Sequence, residues 1–165
     1  MKTVLLALAA LAAPLAAPAA PKILSRDYHV DAVDPGIKLF VREKMAEGAK
    51  ATEDNVVLFV HGATFPSTPD FDLQFKDYSW ADWMVNHGYV VYMFDKRNYG
   101  FSTREQAMDA PPAAHKPVSR SYLVIRDIGA VVDHIRAKNK IARVTLIGWS
   151  WGAMTAGYYS SLWPE

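Results

Sequence analysis

The fold of this chain follows from one stretch of sequence, Val144-Thr145-Leu146-Ile147-Gly148-Trp149-Ser150-Trp151-Gly152. The stretch begins with a short apolar run typical of a buried strand and ends in the pattern Gly-x-Ser-x-Gly. The apolar, small-residue pattern that follows predicts a helix over residues 151–162. The five-residue pattern alone arises by chance in about one chain in twenty of this length. Between a strand and a helix, however, it is typical of a nucleophile elbow, so we predict that Ser150 is a catalytic nucleophile.

The two glycines of this pattern have a physical reason. A serine on a sharp strand-to-helix turn lies in a strained backbone conformation with other chain segments close by, so side chains at Gly148 or Gly152 are expected to collide with them. The turn would also put Ser150 at a helix N-terminus, where free N–H groups and the helix dipole favour developing negative charge. The alternative is that Ser150 only caps the last helix, but a cap does not require both glycines.

The order of elements before the elbow predicts the fold class. Continuous apolar runs at residues 56–60 and 89–94 are typical of strands buried on both faces of a parallel sheet, and helices are predicted over residues 79–87 and 121–138. We therefore predict an α/β fold with a mostly parallel sheet and helices on both faces, ending after the helix that follows the elbow. Alternating residues on either side of Asp34-Pro35-Gly36 predict an antiparallel strand pair near the start.

Three segments together resemble the α/β-hydrolase superfamily of serine esterases, lipases and related peptidases: His61-Gly62, then Asp95-Lys96-Arg97-Asn98-Tyr99-Gly100-Phe101-Ser102, then the elbow. The resemblance covers residues from about 56 to 163. The middle segment is similar to the family's D-x-R-G-x-G-x-S loop, with Asn98 where the family usually has its first glycine, and asparagine tolerates left-handed backbone angles. The resemblance implies that this loop is structural and borders the pocket. Asp95 is therefore not assigned to the catalytic triad.

The resemblance also implies an oxyanion hole, the pair of N–H groups that stabilises the negatively charged intermediate. In this family the loop after the first buried strand supplies one N–H, and the residue after the nucleophile supplies the other. Here these would be Ala63, with Thr64 as the alternative, and Trp151. His61 stands directly before Gly62 of this loop. We interpret it as orienting the loop by hydrogen bonding rather than as the general base.

The remaining members of the triad are expected outside this sequence. The family order of the triad is Ser, then Asp or Glu, then His. After Ser150, however, the only acidic residue in the sequence is Glu165, and no histidine follows. We therefore expect residues 21–165 to be an incomplete α/β-hydrolase domain, an N-terminal fragment that is close to inactive by itself. A serine hydroxyl without its base is a weak nucleophile at neutral pH.

The expected activity is hydrolysis of carboxylic esters through an acyl-enzyme on Ser150. A group of aromatic residues near the strand ends predicts a small-molecule ester substrate with an apolar acyl or aryl group, although core packing is an alternative for each: Phe65, Tyr99, Phe101, Trp149 and Trp151. A peptidase of the same fold, similar to proline aminopeptidases, stays open. So does a non-catalytic truncated gene product, because stopping after the elbow helix would leave an unpaired sheet edge.

Residues 1–20 have the pattern of a secretory signal peptide. Lys2 precedes an apolar run, and Ala17-Pro18-Ala19 fits the small-x-small pattern of a cleavage site. The run is too short to span a bilayer, and a buried N-terminal helix is the alternative. The mature protein is thus expected to be secreted or periplasmic.

Composition excludes several other classes of function. The absence of cysteine excludes disulfides and a lipid-modified cysteine, so no stable membrane anchor is expected. With 18 basic against 17 acidic residues, the chain lacks the charge to recruit nucleic acid. No ligand-spaced histidines, clustered carboxylates or phosphate-binding glycine loop is present, so no metal or organic cofactor is predicted. The sequence does not indicate the oligomeric state.

Overall fold

The computed structural model of the protein describes residues 21–164, and the signal peptide predicted over residues 1–20 lies outside the described residues. The described chain forms five strands and four α-helices, in the order β1 (Ile23–Asp31), β2 (Lys38–Ala46), β3 (Val56–Val60), α1 (Ser67–Phe71), α2 (Trp80–Asn86), β4 (Val90–Phe94), α3 (Ser121–Asn139), β5 (Thr145–Gly148) and α4 (Trp151–Leu162). Two single-turn 3₁₀ helices, Gln106–Asp109 and Pro112–Ala114, lie between β4 and α3.

The strands form one sheet in the order β1-β2-β4-β3-β5. Strand β3 pairs in parallel with both β4 and β5, whereas β2 pairs antiparallel with β1 and with β4. The parallel part and the antiparallel pair at the start are both as predicted. The sequence did not indicate that β2 would extend the sheet through β4.

Helices cover both faces of the sheet, which confirms the predicted fold class. Alternate residues of β3 and β4 face two different cores, and this is why both strands are continuous apolar runs. One core joins the sheet to α1 and α2 through Val57, Phe59, Phe71, Met84, Val85, Val91 and Met93. The other joins it to α3 and α4 through Val56, Leu58, Val60, Tyr92, Phe94, Val124, Ile128, Val131, Ile135 and Tyr159. Fully burying one such side chain contributes about 1.5–3 kcal/mol to stability.

The ends of the predicted helices are set by local backbone chemistry. Helix α2 begins after Ser79, whose hydroxyl accepts a hydrogen bond of 3.0 Å from the Asp82 N–H. Such a cap satisfies one of the N–H groups that a helix start leaves free. Helix α3 ends at Asn139, because the left-handed backbone of the next residue, Lys140 (φ 56°), breaks the helical path.

Strand β5 differs from its prediction as a fully buried run. Leu146 and Ile147 are only partly buried, and Thr145 is exposed. Within residues 21–164, β5 pairs on one side only, with β3. A strand with one neighbour cannot be covered as completely as β3, whose five residues are all buried.

The parallel strands bring three chain segments to one edge of the sheet. Strands β3, β4 and β5 are followed directly by His61, Asp95 and Trp149. Because the carboxyl ends of parallel strands meet at the same edge, the segments singled out in the sequence lie together there.

Candidate functional site

Ser150 lies on the tight turn between β5 and α4, with φ 52° and ψ −123°. Residues other than glycine rarely adopt a positive φ. The turn is closed by two backbone hydrogen bonds, from the Trp149 N–H to the Val60 oxygen (3.1 Å) and from the Gly152 N–H to the Trp149 oxygen (2.7 Å). Ser150 is exposed, and its side chain makes no capping hydrogen bond to α4. The hydroxyl is therefore free to act on another molecule.

Neither glycine of the elbow leaves room for a side chain. A Cβ atom added to Gly148 would lie 2.5 Å from the backbone nitrogen of Ala153. One added to Gly152 would lie 1.9 Å from the carbonyl oxygen of Val60. Both contacts are with backbone, which cannot rotate away as a side chain could, so the tight approach of α4 to β5 depends on Gly148 and its approach to β3 depends on Gly152.

A cleft of about 110 Å³ opens beside Ser150. It is lined by Gly62, Ala63, Thr64, Phe65, Asp70, Trp149 and Ser150. The structure thus brings the loop after β3 and the elbow together, although they lie some 90 residues apart in the sequence. We call the segment of residues 61–65 the oxyanion loop.

Free backbone N–H groups flank the cleft. In the part of the chain that the structure describes, the N–H groups of Ala63 and Trp151 have no hydrogen-bond partner. Trp151 is the first residue of α4, where no carbonyl precedes it in the helix to accept its N–H. The N–H of Thr64 is also without a partner within residues 21–164, so Thr64 stays an alternative to Ala63.

Both ring nitrogens of His61 are engaged. Because the backbone N–H of Lys96 donates to Nε2 (3.0 Å), the ring proton is on Nδ1, which donates to the Gly62 oxygen (2.8 Å). The ring is fully buried, and burial, followed by the nearby charge of Lys96, lowers the pKa of His61 to about 3. A neutral ring with no free nitrogen cannot take a proton from Ser150. It does fix the Gly62 carbonyl, and so the direction of the Ala63 N–H on the same planar peptide bond.

Tyr99 also holds the oxyanion loop, a role that the sequence did not indicate. Its hydroxyl donates to the carbonyl oxygen of Ala63 at 2.7 Å, and its ring packs edge-on against His61 with centroids 4.9 Å apart. His61 thus holds the carbonyl of Gly62, and Tyr99 holds the carbonyl of Ala63. These are the two carbonyls on either side of the Ala63 N–H.

The five aromatic residues predicted to line a pocket divide into two groups. Phe65 and Trp149 line the cleft and are 57% and 62% exposed. The other three are used elsewhere. Tyr99 binds the loop, Phe101 packs against the ring of Phe40 (5.2 Å), and the Trp151 indole N–H donates to Ser121 Oγ (3.1 Å). The position of an aromatic residue near the end of a strand in the sequence therefore does not determine whether its ring points into the cleft.

The Asp95 carboxylate serves the backbone of this region. One oxygen accepts from the N–H and hydroxyl of Ser67 (2.8 and 2.6 Å), and the other accepts from the Phe101 N–H (2.9 Å). Asn98 has φ 69°, and its side chain binds Glu105 and Ser119. The left-handed backbone expected at Asn98 is therefore present, and the contacts of Asp95 are those of a structural residue.

No histidine within residues 21–164 hydrogen-bonds to Ser150. His29 binds the carbonyl oxygen of Phe101, His87 that of Trp83, and His115 that of Lys116. His134 packs against Tyr28. Each of the five histidine rings within residues 21–164 is thus engaged with residues other than Ser150.

Asp70 is the one acidic residue that lines the cleft. It accepts a hydrogen bond of 3.3 Å from the Gly62 N–H, and burial raises the pKa of its carboxyl group. A larger cavity of 670 Å³ lies between α3 and α4, but it shares no lining residue with the cleft. We assign the site to the smaller cleft because Ser150 and the free N–H groups are there.

Residues 21–164 hold neither a cluster of metal-ligating side chains nor a membrane-spanning helix. No group of three or more histidine or acidic side chains there could hold a metal ion. None of the helices in that range combines the length and hydrophobicity needed to cross a bilayer.

The sequence matches the model of a family described as "alpha/beta hydrolase fold" over residues 55–165. None of the curated proteins matches it. Among solved structures, it is similar to a Burkholderia cenocepacia protein described as an aryl esterase, with 24% identity and a TM-score of 0.55 over 84% of this chain and 42% of that one.

Two further structures are similar. Est1E from Butyrivibrio proteoclasticus, solved with ferulic acid bound, has 17% identity and a TM-score of 0.61 over 83% of this chain and 48% of its own. XC6422 from Xanthomonas campestris, a serine hydrolase without a lid, has 20% identity and a TM-score of 0.58 over 84% and 56%. Similarity at these identities shows the shared fold. The chain spans roughly half the length of each of the three.

Proposed function

This chain belongs to the α/β-hydrolase family, and from that premise we propose that the protein at its full natural length is a serine hydrolase that cleaves carboxylic esters. The observation that carries the proposal is the backbone of Ser150. Its positive φ lifts an unbonded, exposed hydroxyl beside a cleft flanked by free N–H groups. A serine that only ended a strand or capped a helix would need neither the positive φ, nor the exposed hydroxyl, nor the free N–H groups.

In the proposed reaction, Ser150 Oγ attacks the ester carbonyl carbon and its proton passes to a histidine base. The N–H groups of Ala63 and Trp151 stabilise the resulting oxyanion, and each donor of this kind contributes about 3–4 kcal/mol in the transition state. The C–O bond to the alcohol then breaks, and the histidine returns the proton to the departing alcohol. Water, deprotonated by the same base, cleaves the acyl-enzyme and restores the serine.

We place the base and its carboxylate partner outside residues 21–164, in line with the Ser, Asp or Glu, His order of the family. His61 is unsuited to the role because both of its nitrogens are engaged. The chain of residues 21–165 alone is accordingly expected to react very slowly.

The cleft favours esters with an apolar acyl or aryl group. Phe65 and Trp149 present large exposed rings beside Ser150, and such rings bind apolar groups by burying surface from water. An anionic acyl group would in addition meet the Asp70 carboxyl group in the same cleft.

A peptidase of the same fold is the second candidate, and Asp70 is the observation that favours it. A carboxylate lining the cleft would pair with the α-ammonium of an aminoacyl substrate. Hydrolysis rates of p-nitrophenyl butyrate and of aminoacyl-naphthylamides by the full-length protein separate the two candidates. A higher kcat/KM on the ester supports the esterase, and a higher value on the amide supports the peptidase.

The serine itself is tested by fluorophosphonate labelling of the full-length protein. The wild type and Ser160→Ala are expected to label, whereas Ser150→Ala should not. Ser160 is a suitable control because it is an exposed serine on the same helix, α4. If the folded wild type fails to label, the serine-hydrolase proposal is wrong and the non-catalytic alternative gains support.

We also propose that residues 1–20 direct export and are removed, so that the protein acts in the periplasm or outside the cell. The N-terminal sequence of the protein recovered from those compartments tests this. The proposal would be contradicted if the protein were found only inside the cells and still began with Met1.

A further inference from the structure

Lys96 is a fully buried lysine at the edge of the site. It follows Asp95 at the end of β4 and has no exposed surface. Its ammonium group donates to the carbonyl oxygen of His61 and lies 4.3 Å from the centre of the Trp151 ring. The positive charge is therefore held by an oxygen dipole and an aromatic face rather than by a carboxylate.

Such burial is costly. An ammonium group that leaves water without a carboxylate partner loses more free energy than these two contacts usually return. Burial lowers the pKa of Lys96 to about 7, with the more distant Asp70 and Asp127 opposing the shift. A methionine or leucine would fill the same space at lower cost, so the contacts of the ammonium need an explanation.

The first contact fixes the peptide bond that leads into the oxyanion loop. The His61 carbonyl and the Gly62 N–H belong to one planar unit. Lys96 binds the oxygen of this unit, and Asp70 accepts from its N–H at 3.3 Å. Opposite charges at the two ends hold the plane of this unit, and the next unit carries the Ala63 N–H.

The second contact fixes the start of α4. The Trp151 ring lies between the Lys96 ammonium and the Ser121 hydroxyl, which accepts its indole N–H at 3.1 Å. The backbone N–H of the same residue is the second proposed oxyanion donor. A cation over an indole face is attracted by the negative charge of the ring face, and the attraction is stronger when the pair is desolvated.

We propose that Lys96 is a positioning residue whose ammonium ties the His61 peptide to the Trp151 ring and thereby fixes the spacing of the two oxyanion-hole donors. This inference rests on the proposed function, because the spacing matters only if Ser150 forms an acyl-enzyme. Oxyanion donors act at 2.7–3.1 Å from the charged oxygen, and a displacement of about 1 Å at a reacting centre can cost a hundredfold in rate.

The test uses the full-length protein with Lys96→Met, which keeps an unbranched apolar stem and removes the ammonium. On p-nitrophenyl butyrate we expect kcat to fall about tenfold to a hundredfold, less than the 10²–10³-fold effect of losing a donor itself. KM should change less than about threefold, because the substrate binds mainly through the cleft. Lys96→Arg, which keeps a cation and donors, should recover part of the loss.

Lys44→Met is the matched control. Lys44 is also buried, but its ammonium pairs with Asp72 and Asp82, neither of which lines the cleft. Its loss should lower stability and leave kcat of the folded protein unchanged. Equal falls in kcat for the two variants would mean that Lys96 acts through general stability, and would overturn the inference.

A measurement on the wild type covers the case in which Lys96→Met does not fold. The rate constant of fluorophosphonate labelling, divided by that of Lys96→Arg so that the titration of the shared histidine base cancels, should fall as pH rises above about 7, because neutral Lys96 no longer attracts the ring as a cation and donates more weakly to the carbonyl. The groups that face it are the neutral His61 from the end of β3, Asp70 from α1 and Asp127 from α3, the last of which is paired with Arg97. A ratio that stays level or rises up to pH 9 would overturn the inference.

The outcomes separate the two proposals. A wild type that does not label removes the proposed function and this inference with it. A wild type that labels, together with a folded Lys96→Met that labels at the same rate, removes this inference alone.

Discussion

Gly62 and Ser150 lie so close together that a Cβ atom added to Gly62 would be 3.3 Å from the Cβ atom of Ser150. The same atom would be 3.3 Å from Cδ1 of the Trp149 ring. The oxyanion loop thus packs directly on the elbow, and the distance between the proposed nucleophile and its oxyanion donors depends on a residue with no side chain.

Gly62→Ala should therefore reduce activity more than stability. The added methyl group must push Ser150 or Trp149 by a few tenths of an ångström, and we expect kcat/KM on p-nitrophenyl butyrate to fall about tenfold. The free energy of unfolding, measured by urea titration, should change by less than about 1 kcal/mol. If the kcat/KM of Gly62→Ala equalled that of the wild type, the oxyanion loop would have room to move and the prediction would be wrong.

Gly152→Ala should instead disrupt the fold. Its Cβ atom would lie 1.9 Å from the Val60 oxygen, so α4 would have to move away from β3. Overpacking of this kind costs about 3 kcal/mol or more. Gly157→Ala on the same helix is the control, because its Cβ atom meets nothing within 4 Å among residues 21–164. Replacing a helical glycine with alanine should add up to about 1 kcal/mol. Urea unfolding of both variants measures the contrast, and equal effects would contradict it.

Two substitutions of His61 separate its two hydrogen bonds. Asparagine places an N–H near the position of Nδ1 and can still donate to the Gly62 oxygen. Glutamine places an oxygen near Nε2 and can still accept from the Lys96 N–H. If the first bond sets the direction of the Ala63 N–H, His61→Asn should keep about tenfold more kcat than His61→Gln. The reverse order would assign the orienting role to the contact with Lys96.

The low pKa of His61 makes stability dependent on pH. An unfolded histidine takes up a proton as pH falls through about 6.5, whereas folded His61 remains neutral down to about pH 3. The unfolded state therefore binds more protons in this window, and stability falls as pH falls. Between pH 7 and pH 5 the loss from this residue is about 2 kcal/mol.

His61→Asn should remove that loss, so the wild type should lose about 2 kcal/mol more than the variant over this range. The pKa values of the Asp27, Asp34 and Asp82 carboxyl groups are lowered, which moves their titration further below this pH range, so these groups do not contribute here. Urea unfolding at both pH values measures the difference. Equal losses in the two proteins would mean that His61 is protonated in the folded state.

The sequence predicted those helices and strands whose burial produces a recognisable pattern of apolar residues in the local sequence. Strand β3 is buried on both faces and is a continuous apolar run, and α3 repeats its apolar residues at helical spacing. Helix α1 was missed because it forms a single short turn of residues 67–71 inside a long connection. Its inner residues, Ser67 and Phe71, are fixed by partners distant in the chain, Asp95 and Phe59.

The individual contacts of residues 95–99, which support the site, could not be predicted for the same reason. Asp95, Lys96 and Arg97 are three consecutive charged residues and would ordinarily lie in water, yet all three are buried. Arg97 is paired with Asp127, 30 residues further on, and Tyr99 reaches back to Ala63. The available signals were the similarity of residues 95–102 to the family's structural loop and the position of this charged triplet directly after a buried strand.

The left-handed backbone at residue 150 has a consequence for thermal stability. Holding an L-amino acid in such a conformation costs about 1–3 kcal/mol, and glycine would form the same turn with much less strain. Ser150→Gly is thus expected to raise Tm while removing the hydroxyl on which the chemistry depends. A mutant library selected for heat resistance alone would then enrich inactive variants at this codon, so any such selection has to include turnover of an ester.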